Sequence, residues 1–241
     1  MDQLFANLKL LDVHEDIFRN IVSIRSAQSL FDDLTDSPEQ WGLAQQVVDE
    51  VKPPPYQSRT PVIHRPFEAA QWFGAIGWPF RQWQASRFSD GTFGVWYGSE
   101  SIETTVHETA YHWFNGLLRD AGFGLSRDTG IIGERDLYDV RCDAALLDLR
   151  PEIEQHKNLT HKSDYSATQA IGARLNREGH PGLVTQSVRR PQGNNYAILN
   201  PNVLSSPRQN CHLTYRLQDE TISIEKRAGT TWLEISLATL S

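Results

Sequence analysis

The sequence predicts an α+β protein: a mixed, curved central sheet flanked by helices, with a helical N-terminal extension. Three observations carry this. Apolar residues recur at helical steps before residue 55, and helix patterns return after Ser101 and Ala167. Short β-prone runs separated by turn residues fill the stretch from Gly182 to Ile235. Between the two patterns stands Lys52-Pro53-Pro54-Pro55, where three prolines remove backbone donors and force an extended path.

In order, Leu8, Leu11, Glu15, Phe18 and Val22 fall at three- and four-residue steps and predict a first helix. Ser37-Pro38-Glu39-Gln40 reads as the start of a second, running through Trp41, Ala44, Val47, Val48 and Val51. After the prolines, the Ser89-Asp90-Gly91 turn leads into a β-prone run from Thr92 to Tyr97. A helix is predicted from about Ser101 to Arg119 and a strand over Ile131–Val140. Ala167–Arg177 reads as a helix closed by Gly179. Five short strands follow: Gly182–Gln186, Tyr196–Leu199, Leu213–Leu217, Thr221–Lys226 and Thr231–Ile235.

The triple proline divides the chain into an acidic extension, residues 1–55, and a larger domain, residues 56–241. The extension holds ten acids against four bases and so carries −6 of the net charge of −7. An acidic chain is a poor partner for nucleic acid, because phosphate repulsion must first be overcome. The extension is expected to recognise a partner and to be dispensable for chemistry. The alternative is that it covers an apolar face of the larger domain. No apolar run approaches the roughly 20 residues of a membrane helix, and the N-terminus lacks the features of a signal peptide, so a cytoplasmic location is expected. Cys142 and Cys211 show no CxxC spacing and read as small buried hydrophobes.

Three stretches carry chemistry. Arg87-Phe88-Ser89 leads through the turn into Val95-Trp96-Tyr97-Gly98-Ser99. Ser101-Ile102-Glu103-Thr104-Thr105-Val106-His107-Glu108 opens a helix. Gly182-Leu183-Val184-Thr185-Gln186-Ser187-Val188-Arg189 precedes Asn194-Asn195. Arg87, Tyr97, Glu108 and Ser187 stand at steps of 10, 11 and 79. Over roughly residues 80–205 this order and spacing resembles the RES domain family, named for an Arg, a Glu and a Ser. The acidic N-terminal segment and His107, where a small or aliphatic residue is usual, depart from the family pattern.

The resemblance implies an ADP-ribosyltransferase-like fold and a toxin that consumes NAD as substrate, with no further cofactor. It also implies a small antitoxin protein covering the active site; homo-oligomerisation is left open. The residue types fit cleavage of the nicotinamide–ribose bond. Nicotinamide departs as a neutral molecule from a pyridinium, so one carboxylate suffices where an ordinary glycosidase needs two. Glu108 would stabilise the developing positive charge on ribose. Arg87 would grip the diphosphate through its guanidinium fork. Tyr97 would stack on nicotinamide or its ribose, and Ser187 would donate to the nicotinamide amide or a phosphate. Arg189 and Asn195 are secondary candidates. Water, phosphate or a protein side chain could accept the ADP-ribosyl group. A catalytically inactive relative that only binds a protein is the alternative.

Metal chemistry finds little support in the sequence. His107 and His112 lie five residues apart, which sets them roughly 140° apart around a helix. His156 and His161 share that spacing, have no Cys or Asp partner at ligand distance, and read as surface residues. GxGxxG, GxxxxGK[ST] and GxSxG patterns are also missing.

Overall fold

The computed structural model describes residues 2–23, 72–119 and 130–240. The predicted helix around Trp41 and the triple proline lie outside them. A short helix α1, Asp2–Asn7, leads into β1, Lys9–Val22. The small strands β2, Ala85–Ser86, and β3, Ser89–Asp90, pair as a hairpin apart from the main sheet. Then come β4, Trp96–Ser99, α2, Ile102–Tyr111, which continues in π-helical form over His112–Leu118, and β5, Ile131–Asp148. After α3, Ser166–Glu178, the chain runs through β6, Gly182–Gln186, and β7, Asn194–Ile198. It finishes with β8, Leu204–Gln218, β9, Thr221–Arg227, and β10, Thr230–Ser236.

Eight strands form one sheet in the order β1-β4-β7-β6-β5-β8-β9-β10, and β1 also pairs with β5. The expected mixed, curved sheet is therefore present. β5 and β6 are parallel, the other described pairings are antiparallel, and the circuit β5-β1-β4-β7-β6 closes on itself. Its interior is filled by Val13, Ile17, Trp96, Val140, Leu146, Val184 and Ile198. A second core, with Leu4, Phe88, Ile171 and Leu175, lies under α3; a third, with Val106, Trp113, Tyr215 and Ile224, lies under α2.

The helical reading of residues 8–22 is corrected: this segment is β1, paired with β5 over 14 residues from Lys9↔Asp148 to Val22↔Arg135. The steps read as helical, through Leu8, Leu11, Glu15, Phe18 and Val22, include three-residue ones that change face in a strand. The face that β1 buries is that of Val13 and Ile17, four residues apart, a step that fits one face of either element. Pairing with β5 decides between them, and the β-branched residues suit the pleated surface.

From Ser101 onward α2, α3, β6, β9 and β10 stand close to their expected bounds. In contrast, β5 runs on from the expected Val140 to Asp148, β8 begins at Leu204 rather than Leu213, and β7 covers Asn194–Ile198 rather than Tyr196–Leu199. Ser101 caps α2 by accepting from the Thr104 N–H at 3.2 Å. Gly179 closes α3 with φ of 76°, a left-handed conformation glycine adopts without strain. Within α3, Gly172 lets the helix lie directly on the turn that carries Arg87. A Cβ there would stand 1.8 Å from the Phe88 carbonyl oxygen. Gly172→Ala should therefore lower stability by about 1–3 kcal/mol from overpacking, although alanine is the better helix former by about 1 kcal/mol. Thermal unfolding checks this; an unchanged or raised midpoint would contradict the close approach.

Candidate active site

β1 and β4 meet at a single register pair, Phe18↔Ser99. Beside that junction opens a cleft of about 690 Å³, lined by residues of β1, β4 and α2 and by the turn around Arg87. This volume is typical of a small-molecule site. Helical geometry turns Thr105, Glu108, Thr109 and His112 toward it from one side of α2 and its continuation. The β6–β7 connection supplies Arg189, and β7 supplies Asn195.

Glu108 is the centre of the arrangement. Its Oε1 accepts from the Ser187 hydroxyl and from the Asn195 side-chain amide, both at 2.6 Å. Oε2 accepts no hydrogen bond among the described residues. Each donor is itself held. The Ser187 oxygen accepts from the Arg190 N–H at 3.0 Å, so its one proton is committed to Glu108. Asn195 Oδ1 accepts from the Ser99 hydroxyl at 2.6 Å, which orients the amide with its N–H toward the carboxylate. Register explains why: Asn195 pairs with Ser99 of β4 on one side and Thr185 of β6 on the other. Ser187, expected to face the ligand, instead fixes the carboxylate.

Tyr97 lines the cleft and packs against the second core, while its hydroxyl reaches the preceding turn. It accepts from the Phe88 N–H at 3.0 Å and bonds the Ser86 hydroxyl at 2.8 Å. Burial pushes its phenol up to about 12, so it stays protonated at any physiological pH. Through Ser86 and Phe88, the hydroxyl fixes the turn that carries Arg87 between them.

Arg87 donates to the His161 carbonyl at 2.9 Å and lies 4.4 Å from the centre of the Tyr165 ring. Burial lowers its guanidinium below the ordinary arginine range, and the nearby Tyr165 and Glu108 oppose that. Arg189 donates to the next carbonyl, Lys162, at 2.6 Å and sits over the Tyr111 ring. Arg87 and Arg189 thus line one cleft with a carboxylate, and Arg19 of β1 lines it as well. Such a set suits a ligand that is anionic in one part and becomes cationic in another.

All six residues singled out from the sequence are gathered here: Arg87, Tyr97, Glu108, Arg189 and Asn195 line the cleft, and Ser187 bonds Glu108. The sequence reading missed the contribution of β1. Arg19 donates from Nη1 to the Tyr97 carbonyl at 2.6 Å and spans the β1–β4 junction, and burial lowers it to about 10. Asn20 lies beside it in sequence and also lines the cleft. Both were hidden by the helical reading of an acidic segment.

A profile of the RES domain matches residues 54–218. The chain belongs to the RES domain family. Among curated proteins none matches it. Among solved structures it is similar to one from the MbcT–MbcA toxin–antitoxin complex of M. tuberculosis. That similarity has 12% identity and a TM-score of 0.45, and covers 90% of this chain and 91% of the other. The RES match begins after β1, so the strand that brings Arg19 and Asn20 to the cleft precedes it.

Proposed function

We propose that this RES domain protein consumes NAD by breaking its nicotinamide–ribose bond, as a toxin restrained by a small antitoxin protein. The observation that carries the reading is Glu108, a carboxylate fixed by two donors on one oxygen in a cleft it shares with Arg19, Arg87 and Arg189. The glycosidic bond breaks with its electron pair passing to the nicotinamide nitrogen, which becomes neutral. The ribose carbon gains positive charge as this happens. A carboxylate already oriented by Ser187 and Asn195 stabilises that charge without reorganising. The acceptor then adds to the ribose carbon and gives up its proton.

Arg87 and Arg189 hold the diphosphate, and the Tyr97 ring packs on the nicotinamide riboside. Their present carbonyl partners are weaker acceptors than phosphate oxygens, so exchange is favourable. Trp78 at the cleft and Trp83 nearby in sequence are 52% and 55% exposed. Exposed aromatics of this size suit coverage by a protein partner. The antitoxin itself rests on the family resemblance.

Arg87→Ala should weaken NAD binding about 10- to 100-fold, the equivalent of losing a charge-assisted pair worth about 1.5–3 kcal/mol. Lysine there should restore only part, since it supplies a point charge without the fork. Titration calorimetry with the Glu108→Gln background, where substrate persists, measures this directly. Unchanged affinity would remove Arg87 from the diphosphate site. Product analysis by mass spectrometry separates the acceptors: free ADP-ribose for water, a phosphorylated ADP-ribose for phosphate, or a mass increase on protein.

A further inference from the structure

Arg87 has a face as well as an edge, and different groups hold the two. All the N–H bonds of a guanidinium lie in its plane, so hydrogen bonds use the edge while a ring can stack on the face. The edge of Arg87 reaches the His161 carbonyl, the contact that gives way to a phosphate oxygen when NAD binds. Its face lies over the Tyr165 ring, 4.4 Å from the centre. Arg189 repeats the arrangement, with its edge on the Lys162 carbonyl and its face over Tyr111 at 3.2 Å. Both tyrosines line the cleft.

Tyr165 is fixed by the start of α3. Its carbonyl accepts from the Gln169 N–H at 2.8 Å, and from the Thr168 hydroxyl at 3.0 Å. One helical turn on, the Gln169 side-chain amide donates to the carbonyls of Ser86 and Ser89, at 3.0 and 3.2 Å. Those carbonyls stand on either side of Arg87. Residues four apart share a helix face, so α3 brings both the clamp on this turn and the ring under its arginine. The Tyr165 hydroxyl is 3.4 Å from the Lys162 carbonyl, too long to add much. What Tyr165 offers is its ring.

We infer that Tyr165 is a positioning residue for substrate binding, whose ring holds the Arg87 guanidinium by its face and keeps the edge presented to the diphosphate. This deepens the NAD reading and rests on it. The stack outlasts the exchange of the His161 carbonyl for phosphate, because the two contacts use different parts of the group. An unsupported arginine would lose more rotamer freedom on binding, and the ring removes that cost beforehand. Tyr165 has no share in the charge that develops on ribose, so its loss should appear in KM and not in kcat.

The test measures steady-state NAD turnover of the full-length protein carrying Tyr165→Phe or Tyr165→Leu, each with Arg87 present or replaced by alanine. Tyr165→Leu should raise KM about three- to tenfold and change kcat less than about twofold, as loss of a half-buried cation–π contact implies. Tyr165→Phe keeps the ring and should hold KM within about twofold of wild type. In the Arg87→Ala background, Tyr165→Leu should add less than about twofold, since the group it positions is gone. An equal loss in both backgrounds, or one that Tyr165→Phe shares, would overturn the inference and make Tyr165 a structural residue. Should Tyr165→Leu fail to fold, a trifluorinated phenylalanine at this position keeps the ring and withdraws its electrons. KM should then rise above that of Tyr165→Phe, and an unchanged KM would overturn the inference in the same way. Wild-type protein that leaves NAD intact removes the NAD reading and this inference together. Active wild-type protein with an equal loss in both backgrounds removes the inference alone.

Discussion

Glu108→Gln is expected to fold and melt like the wild type while NAD turnover falls at least a hundredfold. Glutamine retains a side-chain oxygen that can accept from Ser187 and Asn195, so the 2.6 Å bonds that fix the site have a substitute acceptor. What disappears is the negative charge. A charge matters most where water is excluded and positive charge develops only in the transition state, so the loss should appear in kcat rather than in binding. Removing one preorganised electrostatic contact of this kind typically costs about 2.7–4 kcal/mol, a factor of roughly 10²–10³. Steady-state nicotinamide release, with circular dichroism as the fold control, decides it. A variant keeping more than about a tenth of wild-type turnover would show that another group carries the charge.

A chain beginning at Tyr56 is expected to lose cooperative folding altogether. The sequence alone suggested that everything before the triple proline could be removed without harm to the chemistry. The structure puts β1 inside the closed circuit of strands, hydrogen-bonded along β5, with Val13 and Ile17 buried in the first core and Leu4 in the second. Each such side chain contributes about 1.5–3 kcal/mol on burial, and the exposed flank of β5 would add unpaired backbone groups. Total stabilities are about 5–15 kcal/mol, so a loss of this size is decisive. Thermal melting and size-exclusion chromatography measure it. A soluble, cooperatively melting, NAD-cleaving truncation would contradict the placement of β1 as essential to the fold.

Legibility in the sequence followed how local each determinant is. α2 could be read from Ser101 and its acidic first turn, α3 from its Gly179 cap, and β6 from an apolar run between turn residues. All of these act within a few residues. β1 could not, because its identity depends on β5, more than a hundred residues away, and its four-residue apolar step suits both structures. The site divides in the same way. Arg87, Tyr97, Glu108, Ser187, Arg189 and Asn195 stand in motifs whose order and spacing carried the family resemblance. What those residues touch was less accessible. The bond from Ser187 to Glu108 spans 79 residues, and that from Asn195 spans 87. Arg19 and Asn20 sit in no motif and reach the cleft only through the strand pairing that the periodicity concealed.

Free nicotinamide is the most direct measure of cleavage at the nicotinamide–ribose bond. Purified full-length protein is incubated with NAD in buffer alone, with inorganic phosphate, and with a crude protein acceptor, and nicotinamide is quantified by chromatography. Release is expected in at least one of the three conditions, matched one for one by disappearance of NAD and lost in Glu108→Gln. Folded wild-type protein that leaves NAD undiminished in all three conditions would contradict it.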